Sequence, residues 1–374
     1  MDLTVISTYR CNSKCQMCYI WQNPSHPQEE VSLATLSKLP GGFDNLNISG
    51  GEPTLRKDLP QLVDLLHSKA RITEISSNGL YPERLAPIIR KYPNTKVRFS
   101  LEGDELTNNC IRGESDGFQI KVKGLQMLKE LGGTDLGFAL VIQDENAPQL
   151  TWVHDLAGKL GVELSTSSLH NAWQFHKNDN HFYDRLKAAK EVEKLITAML
   201  RTNSVKSWFR GYLNLGLIKN ILGQDRLIKC TAGKDFAFID PWSDVWACNV
   251  RTDLPMGNLK EQSWTEIISS PAARQSRALV ADCRQNCWMV TTARTAMRSN
   301  AFPAFPKLEP LRWVLENKIK TALGMDIAFD RYINYEDVRS APQVQRQSFL
   351  DKSYRSRLQK ATDPHYTQKE YVNR

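Results

Sequence analysis

Residues 3–18 read LTVISTYRCNSKCQMC, an apolar run that leads into a loop with three cysteines. The run predicts a β-strand, and the loop holds Cys11, Cys15 and Cys18 with three and two residues between them. One loop of this spacing can bring three thiolates to a single metal centre. Tetrahedral zinc or a cubane needs a fourth ligand, and no other Cys or His is close by in sequence. The stretch therefore predicts a metal centre with one open coordination position, where an external ligand can bind.

Outward from this loop, short apolar runs alternate with longer amphipathic segments up to about residue 165, which is typical of repeated βα units. The expected strands are at residues 3–8, 45–49, 72–76, 96–101, 136–142 and 162–164. The clearest helices are at residues 59–68, 82–91, 120–131 and 148–160. Strands linked through helices run parallel, and right-handed crossovers curve them into a barrel with its ligands at the carboxyl ends of the strands. The pattern predicts an α/β fold, a partial (β/α)6 TIM-like barrel.

The alternation then stops, and a small α+β cysteine-containing auxiliary domain and a C-terminal tail are expected. Two helices are predicted at residues 183–201 and 212–222, followed by strands at 236–240 and 245–248, a turn region at 255–258 and a helix at 264–270. The tail contains Phe-Pro pairs at 302–303 and 305–306 and an amphipathic helix at 311–323. We expect a core at residues 1–200, a helical linker at 201–227, the auxiliary domain at 228–295 and an extension at 296–374, whose role the sequence does not indicate.

Composition excludes few classes of protein, but it indicates where the protein is located and which partners it can bind. The 374 residues carry 49 Lys and Arg against 41 Asp and Glu, a net charge of +8 without a basic stripe interleaved with aromatic residues. No secretory signal and no stretch of roughly 20 apolar residues is present. These features favour a soluble, cytoplasmic protein that binds neither membrane nor nucleic acid. Its basic surface suits an acidic electron donor such as flavodoxin or ferredoxin.

The cysteine loop after the first strand resembles the hallmark of radical S-adenosylmethionine (SAM) enzymes, whose partial barrel carries a 4Fe-4S cluster on three such cysteines. Three further strand ends match that family in order: SGGEPTL at 49–55, SSNG at 76–79, and SLEG at 100–103 with IRG at 111–113. The resemblance implies reductive cleavage of SAM to a 5′-deoxyadenosyl radical, which takes a hydrogen atom from a substrate. A closed zinc site completed by a distant His remains the alternative for the three cysteines.

The same resemblance implies a SAM site, although it names no catalytic residue. Its expected members are Met17, Gly50, Gly51, Glu52, Pro53, Ser77, Asn78, Ser100, Arg112 and Ile142. Glycines let the backbone approach a ligand, and the carboxylate of Glu52 can accept hydrogen bonds from the amino group of SAM. Serine hydroxyls and the Arg112 guanidinium offer donors for its carboxylate, while Met17 and Ile142 match positions that pack adenine. For Ile142 an ordinary core position is an equally good interpretation. Glu102 stands where many relatives have Asp, which leaves its role open.

A second cysteine group resembles the twitch or SPASM-like domain that follows many radical SAM cores. Its members Cys230, Cys248, Cys283 and Cys287 can close around one centre, and four protein ligands favour one auxiliary iron–sulfur cluster. Ser243 replaces the usual glycine of the hairpin. Zinc remains open here, because four thiolates suit either metal.

Residues outside the two groups receive modest roles. Cys110 is expected to be a small buried hydrophobe, with hydrogen-atom donation as the alternative. His170, His176 and His181 lie in a polar linker and are expected to be exposed.

The resemblance leaves three functions open. We favour a radical SAM oxidoreductase that acts on a small molecule or sugar, because no peptide-recognition segment precedes the first strand. The alternative is a peptide- or protein-modifying maturase, and a non-catalytic zinc-binding protein is the third. The substrate, the fate of SAM and the oligomeric state are not indicated by the sequence.

Overall fold

The computed structural model describes residues 1–301 and 308–339. Six parallel strands form its core, which confirms the expected α/β fold. Their bounds are β1 Asp2–Ile6, β2 Phe43–Ser49, β3 Ala70–Ser77, β4 Lys96–Ser100, β5 Asp135–Ile142 and β6 Glu163–Ser168. Each strand pairs in parallel with the next along the chain, as right-handed βα repeats require. The carboxyl ends therefore gather at one edge, where the loop with the first three cysteines lies.

Three further strands extend the same sheet beyond β1. They are β7 Phe236–Ile239, β8 Asp244–Trp246 and β9 Pro255–Asn258. The order is β6-β5-β4-β3-β2-β1-β7-β8-β9, with β7 parallel to β1 and β8 and β9 antiparallel. The expected turn at 255–258 was wrong, since Pro255, Gly257 and Asn258 pair with β8 despite their turn-like composition. The auxiliary region is thus continuous with the sheet, and its domain boundaries stay a prediction.

Helices cover one face of the sheet and continue into the second region. Their bounds are α1 Leu33–Ser37, α2 Leu59–His67, α3 Ala86–Lys91, α4 Glu105–Arg112, α5 Gly117–Glu130, α6 Leu150–Leu160, α7 Arg185–Arg201, α8 Val205–Ile221, α9 Trp264–Ser269, α10 Pro271–Ala281, α11 Val290–Ala301 and α12 Glu309–Ala322. Helices α1, α4, α10 and α11 were missed from sequence. The Phe-Pro pairs lie outside the described residues. No helix in the described ranges is long and apolar enough to cross a membrane.

The two faces of the sheet differ in chemistry. Phe99 points to the helices, because a Cβ placed on Gly124 of α5 would lie 3.3 Å from its ring. Alternate residues face the other way, and we call that side the inner face. At its amino end the strands carry Asp2, Glu74, Lys96, Arg98, Asp135 and Glu163, all of them ion-paired. Arg294 of α11 bonds both Asp2 and Glu74, so the second region closes this end.

Candidate functional site

The loop with the first three cysteines is held by the end of α4. The backbone N–H of Lys14 donates to the carbonyl of Arg112 at 3.0 Å, and that of Gln16 donates to Ile111 at 2.9 Å. Gly113 ends the helix at φ 63°, where a Cβ would lie 2.8 Å from the Lys14 carbonyl oxygen. Only glycine combines this left-handed backbone with so close an approach. Helix α4, which the sequence pattern did not indicate, therefore positions the cysteine loop.

The three thiols of this loop lie in a dry environment. Cys15 is buried with Met17 and Ile111 in a small apolar cluster, against which Cys18 packs. Burial, with a smaller contribution from the nearby Cys15, raises the pKa of the Cys18 thiol to about 12. Burial likewise raises the pKa values of Cys11 and Cys15. Such thiols ionise only when a cation compensates their charge, which is the environment that a cluster of iron ions supplies.

Gly50 and Gly51 are required by the packing of one loop on another. Their segment pairs with the backbone before Cys11, since the N–H of Gly51 donates to Thr8 at 2.7 Å and that of Glu52 donates to Arg10 at 2.8 Å. A Cβ on Gly50 would lie 2.4 Å from the carbonyl oxygen of Thr8, and one on Gly51 would lie 2.3 Å from that of Arg10. The close approach that these glycines allow is thus to the cysteine loop itself.

Glu52 is fully buried and accepts hydrogen bonds on both oxygens. Its Oε1 accepts from the N–H and hydroxyl of Thr54 at 2.9 and 2.7 Å and from the Ser77 hydroxyl at 2.9 Å. Its Oε2 accepts from the Asn78 N–H at 2.6 Å. Burial raises the pKa of this carboxyl although these donors oppose the shift. Pro53 follows in a short 3₁₀ turn that Glu52 caps. The structure thus gives Ser77 a partner within the chain that its sequence position did not indicate.

Arg112 is held between two buried carboxylates. Its Nη1 donates to Glu102 at 2.9 Å and its Nε donates to Glu114 at 3.2 Å. The second oxygen of Glu102 accepts the backbone N–H of Val141 at 2.8 Å, which ties β4 to β5. Burial disfavours the charged guanidinium, yet Cys15 and the two carboxylates outweigh it and raise the pKa of Arg112. Glu102 therefore orients Arg112, a role that its sequence position alone left open.

The other residues that were predicted for the SAM site lie at strand ends. On β5, however, the side chain close to Met17 belongs to Val141 and not to Ile142. Asn78 donates from Nδ2 to Oδ1 of Asn12 in the cysteine loop at 2.7 Å, and Ser100 lies half-buried at the end of β4. Ile142 lies in the main core, whereas its neighbour Val141 packs on the apolar cluster around Cys15. Alternation along β5 separates these two side chains, so Val141 is the residue that shares the surroundings of Met17.

The second cysteine group is assembled from three segments. Cys230 precedes β7, Cys248 follows β8, and Cys283 and Cys287 lie between α10 and α11. Burial raises the pKa of Cys248 to about 12, with Cys287 and Cys230 close enough to add to the shift. Burial also raises the pKa of Cys287 to about 11, and the adjacent Arg226 opposes this shift. Four thiols from distant parts of the chain thus come together.

The donor sets of both sites fit iron–sulfur clusters. Among the described residues, no group of three or more His, Cys, Asp or Glu side chains is gathered so that it could hold a single metal ion. The thiols nevertheless lie within electrostatic range of one another in each group. In a cluster each cysteine bonds a different iron atom, and soft thiolates suit iron and sulfide.

Two expectations about isolated residues were wrong. Cys110 is exposed on α4 rather than buried, because it faces away from its buried neighbours Ile111 and Arg112. His170 and His176 are half-buried, and only His181 is exposed as expected. Burial lowers the pKa of His176 to about 4.

The half-buried histidines belong to a segment that joins the two cysteine regions, residues 170–180. Asn180 donates from Nδ2 to the Met17 carbonyl at 3.0 Å. At the other side, Trp173 packs on Trp246 of β8 with ring centroids 5.1 Å apart. Tyr9, just before the cysteine loop, meets the Trp242 ring at 5.3 Å. The aromatic residues of this junction are visible in the sequence, but their partners lie too far along the chain to be assigned from it.

Comparison with known families agrees with this geometry. The model of the radical SAM superfamily matches residues 5–155, and that of the SPASM iron–sulfur cluster-binding domain matches residues 230–288. The first match spans β1 to β5, and the second runs from Cys230 to the residue after Cys287.

Three curated relatives illustrate the range of similarity. Fe-coproporphyrin III synthase of Methanosarcina barkeri is 32% identical over 155 residues, which are 40% of this chain and 39% of that protein. Mycofactocin maturase MftC of Mycolicibacterium smegmatis is 28% identical over 66% of this chain and 63% of its own length. Sporulation killing factor maturation protein SkfB of Bacillus subtilis is 24% identical over 76% of this chain and 68% of its own. This chain thus spans about two fifths to two thirds of these relatives.

A solved structure shows the same fold. The complex of anSMEcpe with AdoMet and the Kp18Cys peptide matches with a TM-score of 0.58 and 14% identity, over 86% of this chain and 97% of that one. With two family models on the two cysteine regions, the chain belongs to the radical SAM superfamily, and its cofactors are a SAM-binding 4Fe-4S cluster, SAM and an auxiliary iron–sulfur cluster in a SPASM-type domain.

Proposed function

We propose that this radical SAM enzyme modifies a peptide. In this proposal Cys11, Cys15 and Cys18 hold the SAM-binding cluster, and the auxiliary cluster is held by Cys230, Cys248, Cys283 and Cys287. When bound, the first cluster and SAM supply the 5′-deoxyadenosyl radical with which the superfamily abstracts hydrogen. The chain's own residues orient SAM, exclude water and present the substrate.

Glu52 and Arg112 are the residues that we assign to the two charged groups of the methionine part of SAM. A carboxylate has about four lone-pair sites, and Glu52 Oε2 has one donor where Oε1 has three. Oε2 therefore retains capacity for an ammonium donor. Arg112 uses Nε and Nη1 within the described residues, which leaves Nη2 for the SAM carboxylate. Ser77 has committed its only proton to Glu52, so we assign it to positioning that carboxylate.

Water is kept from the reacting end of the site by apolar packing. Cys15, Met17 and Ile111 form a buried cluster, on which Val141 and Leu169 pack. A radical intermediate must be shielded from side reactions, and a closed apolar wall does this.

The inner face beside the first cysteine loop carries the proposal about the substrate. Above the ion-paired end, strands β2, β3, β4 and β6 present small neutral hydrogen-bonding side chains, namely Asn47, Ser76, Ser100, Ser165 and Ser167, whereas β5 presents Ala139 and Val141. On the other side of β1 the same face carries Phe238 and Trp246, with Trp173 packed on both. A neutral polar surface next to an aromatic surface suits a peptide segment, whose backbone needs hydrogen bonds and whose side chains need apolar contact.

The charged side chains of the inner face also favour a peptide over a phosphorylated or acidic metabolite. The six charged side chains at the amino end of the inner face have ion-pair partners, so none of these six is free to meet a phosphate or carboxylate on a substrate. Phosphorylated or acidic metabolites are usually met by unpaired Arg or Lys. The relatives named as maturation proteins also align over 66% and 76% of this chain, more than the synthase does.

The preference for a small molecule or sugar that the sequence suggested is therefore replaced by the peptide alternative. The 32% identity to Fe-coproporphyrin III synthase keeps a small-molecule substrate as the second candidate. In the same proposal the peptide would lose two electrons, one with the abstracted hydrogen atom and one to the auxiliary cluster, and a flavodoxin or ferredoxin would reduce the SAM-binding cluster.

An activity assay tests the proposal. The anaerobically reconstituted protein is reduced and incubated with SAM and synthetic peptides encoded by short reading frames beside its gene. We expect 5′-deoxyadenosine to form faster with one peptide and the mass of that peptide to change. A protein with Cys11→Ala, Cys15→Ala and Cys18→Ala serves as the control and should form neither product.

Two other results are informative. If metabolite extracts accelerate 5′-deoxyadenosine formation and no peptide does, the small-molecule candidate replaces the peptide. If the cluster-containing protein never forms 5′-deoxyadenosine, the assignment of the first site is wrong.

A further inference from the structure

Arg226 lies against one of the cysteines that we assign to the auxiliary cluster. Its Nη1 donates to the carbonyl oxygen of Cys287 and lies 3.8 Å from the Cys287 Sγ. The guanidinium is held from two other directions, because Nε donates to the Ile228 carbonyl at 3.2 Å and its centre lies 5.1 Å from the Trp288 ring centroid. Three contacts therefore fix a positive charge beside this sulfur.

The charge of Arg226 is not neutralised by the protein. Within residues 1–301 and 308–339, no carboxylate forms an ion pair with Arg226, and its buried Nη2 has no hydrogen-bond partner. A buried donor without an acceptor is costly, so such a group usually meets a ligand or cofactor. An anionic iron–sulfur cluster beside Cys287 would supply that acceptor.

Two further donors lie at neighbouring sulfurs but differ in charge. The backbone N–H of Val250 donates to the Sγ of Cys248 at 3.3 Å. Arg251 lies close enough to Cys283 for their charges to interact, yet it also makes a two-fold contact with the carboxylate of Asp253. Its charge is thus largely compensated, whereas that of Arg226 is not.

Hydrogen bonds and positive charges at the sulfurs stabilise the reduced, more negative form of a cluster, which raises its reduction potential. The first site has the opposite bias, since three carboxylates, Glu52, Glu102 and Glu114, outnumber two cations, Arg112 and Lys121. The two sites are therefore electrostatically unequal.

We infer that Arg226 is a positioning residue that raises the reduction potential of the auxiliary cluster above that of the SAM-binding cluster. The inference rests on the proposed assignment of Cys230, Cys248, Cys283 and Cys287. Such a difference suits the auxiliary cluster to accept an electron rather than to donate one to SAM.

A redox titration followed by electron paramagnetic resonance tests this inference. The background protein carries Cys11→Ala, Cys15→Ala and Cys18→Ala, so that only the auxiliary cluster contributes a signal. In that background we expect Arg226→Gln to lower the equilibrium constant for reduction about tenfold, as the loss of one charged hydrogen bond predicts. For a one-electron couple this is a shift of about 59 mV to more negative potential.

Two matched variants separate local charge from net charge. Arg251→Gln should shift the potential less than Arg226→Gln, because Asp253 already compensates Arg251. Arg274→Gln removes a charge from an exposed side chain of the same domain and should leave the potential unchanged. Iron and sulfide contents are measured for every variant.

The outcomes are distinct. An Arg226→Gln protein with full iron content and the potential of the Arg274→Gln control overturns the inference. If Arg226→Gln loses the cluster, Arg226→Lys is measured in its place. This variant keeps a positive charge at the position, so its reduction potential should shift to more negative values by less than the amount predicted for complete loss of the charge. Loss of iron from both variants assigns Arg226 to structural support and overturns the tuning role. A background protein without iron overturns the cysteine assignment itself.

Discussion

The two cysteine regions lie on one sheet but are built in different ways. The first is a single loop after β1, and its thiols come from eight consecutive residues, 11–18. The second takes thiols from three segments spread over residues 230–287. Close sequence spacing makes the first region recognisable, whereas the second depends on β7 pairing with β1 and on α10 and α11 folding back.

The regions also differ in what surrounds the sulfurs. Around the first region the charged side chains are paired with one another, and Arg112 forms ion pairs with both Glu102 and Glu114. At the second, Arg226 has no ion-pair partner in the part of the chain that the structure describes. The difference suggests that the first region is built to orient a charged ligand and the second to set a potential.

Replacing the cysteines of each region should give the largest difference between the two regions. We expect the Cys11→Ala, Cys15→Ala, Cys18→Ala protein to lose all SAM cleavage, because these are the cysteines that we assign to the first cluster. The Cys248→Ala, Cys287→Ala protein should still form 5′-deoxyadenosine but little modified substrate. Mass spectrometry of both products checks this, and SAM cleavage lost equally in both proteins would show that the regions are not separable in function.

Glu102→Gln should destabilise the first region. The substitution removes a buried charge partner of Arg112 and is expected to cost about 3 kcal/mol of unfolding free energy. Urea unfolding of the anaerobic protein measures the change. Glu191→Gln, which breaks a surface pair with Lys194, is the matched control and should cost less than about 1 kcal/mol. Equal costs would mean that Arg112 does not depend on Glu102.

The junction between the regions should be sensitive to acid. Burial lowers the pKa of His176, whose ring contacts Tyr9, to about 4. The unfolded chain takes up this proton first, so the contribution of His176 to stability is complete above about pH 6.5 and is lost as pH falls toward 4. The full effect is up to about 3 kcal/mol.

Urea unfolding between pH 7 and pH 4 measures this dependence. His176→Asn, which tolerates the observed φ of 53°, should flatten the profile between pH 6.5 and 4. The exposed His181→Asn should leave it unchanged. A profile that is identical in wild type and His176→Asn would contradict the prediction.

The two regions also differ in the residue that each places at a left-handed backbone position, and here we expect the smallest effects. The first region uses glycine at such a position, Gly113, whereas the second has Ser243 at φ 78° with its hydroxyl buried and without a hydrogen-bond partner in the described residues. Ser243→Gly should therefore stabilise the protein by about 1 kcal/mol, and Gly113→Ala should destabilise it by at least as much.

Thermal unfolding of the two variants checks both signs. Ser243→Ala separates the causes, since it removes the hydroxyl but keeps the Cβ at the left-handed position. If Ser243→Ala stabilises as much as Ser243→Gly, the buried hydroxyl and not the backbone is responsible.

Much of the fold could be predicted because βα repeats carry local patterns. The expected strand at 136–142 lies within one residue of β5, and the helix expected at 311–323 is close to α12. The strand expected at 162–164 was too short, since β6 ends in the polar run Ser165–Ser168, which hydrophobic patterning does not reveal. Helix α4 was missed because its eight residues are mostly polar.

For the candidate site, too, local motifs could be predicted from the sequence and long-range contacts could not. Motifs identified Glu52, Ser77 and Arg112, but the pairing of Ser77 with Glu52 and of Arg112 with Glu102 and Glu114 follows from contacts between strand ends. Ser13 and Glu114 bond at 2.6 Å although 101 residues separate them. Nothing local marks such a pair, and the same holds for Arg226 and Cys287.

By itself, the order of residues determined the parallel architecture, the family and the identity of the seven cysteines that we assign to clusters. These features depend on periodicity and short spacing, which a chain carries before it folds. Only tertiary structure decided which charges face each set of sulfurs and that one continuous sheet joins both sets. Electrostatic surroundings and strand pairing arise from contacts between distant segments, and the chain acquires them only when it folds.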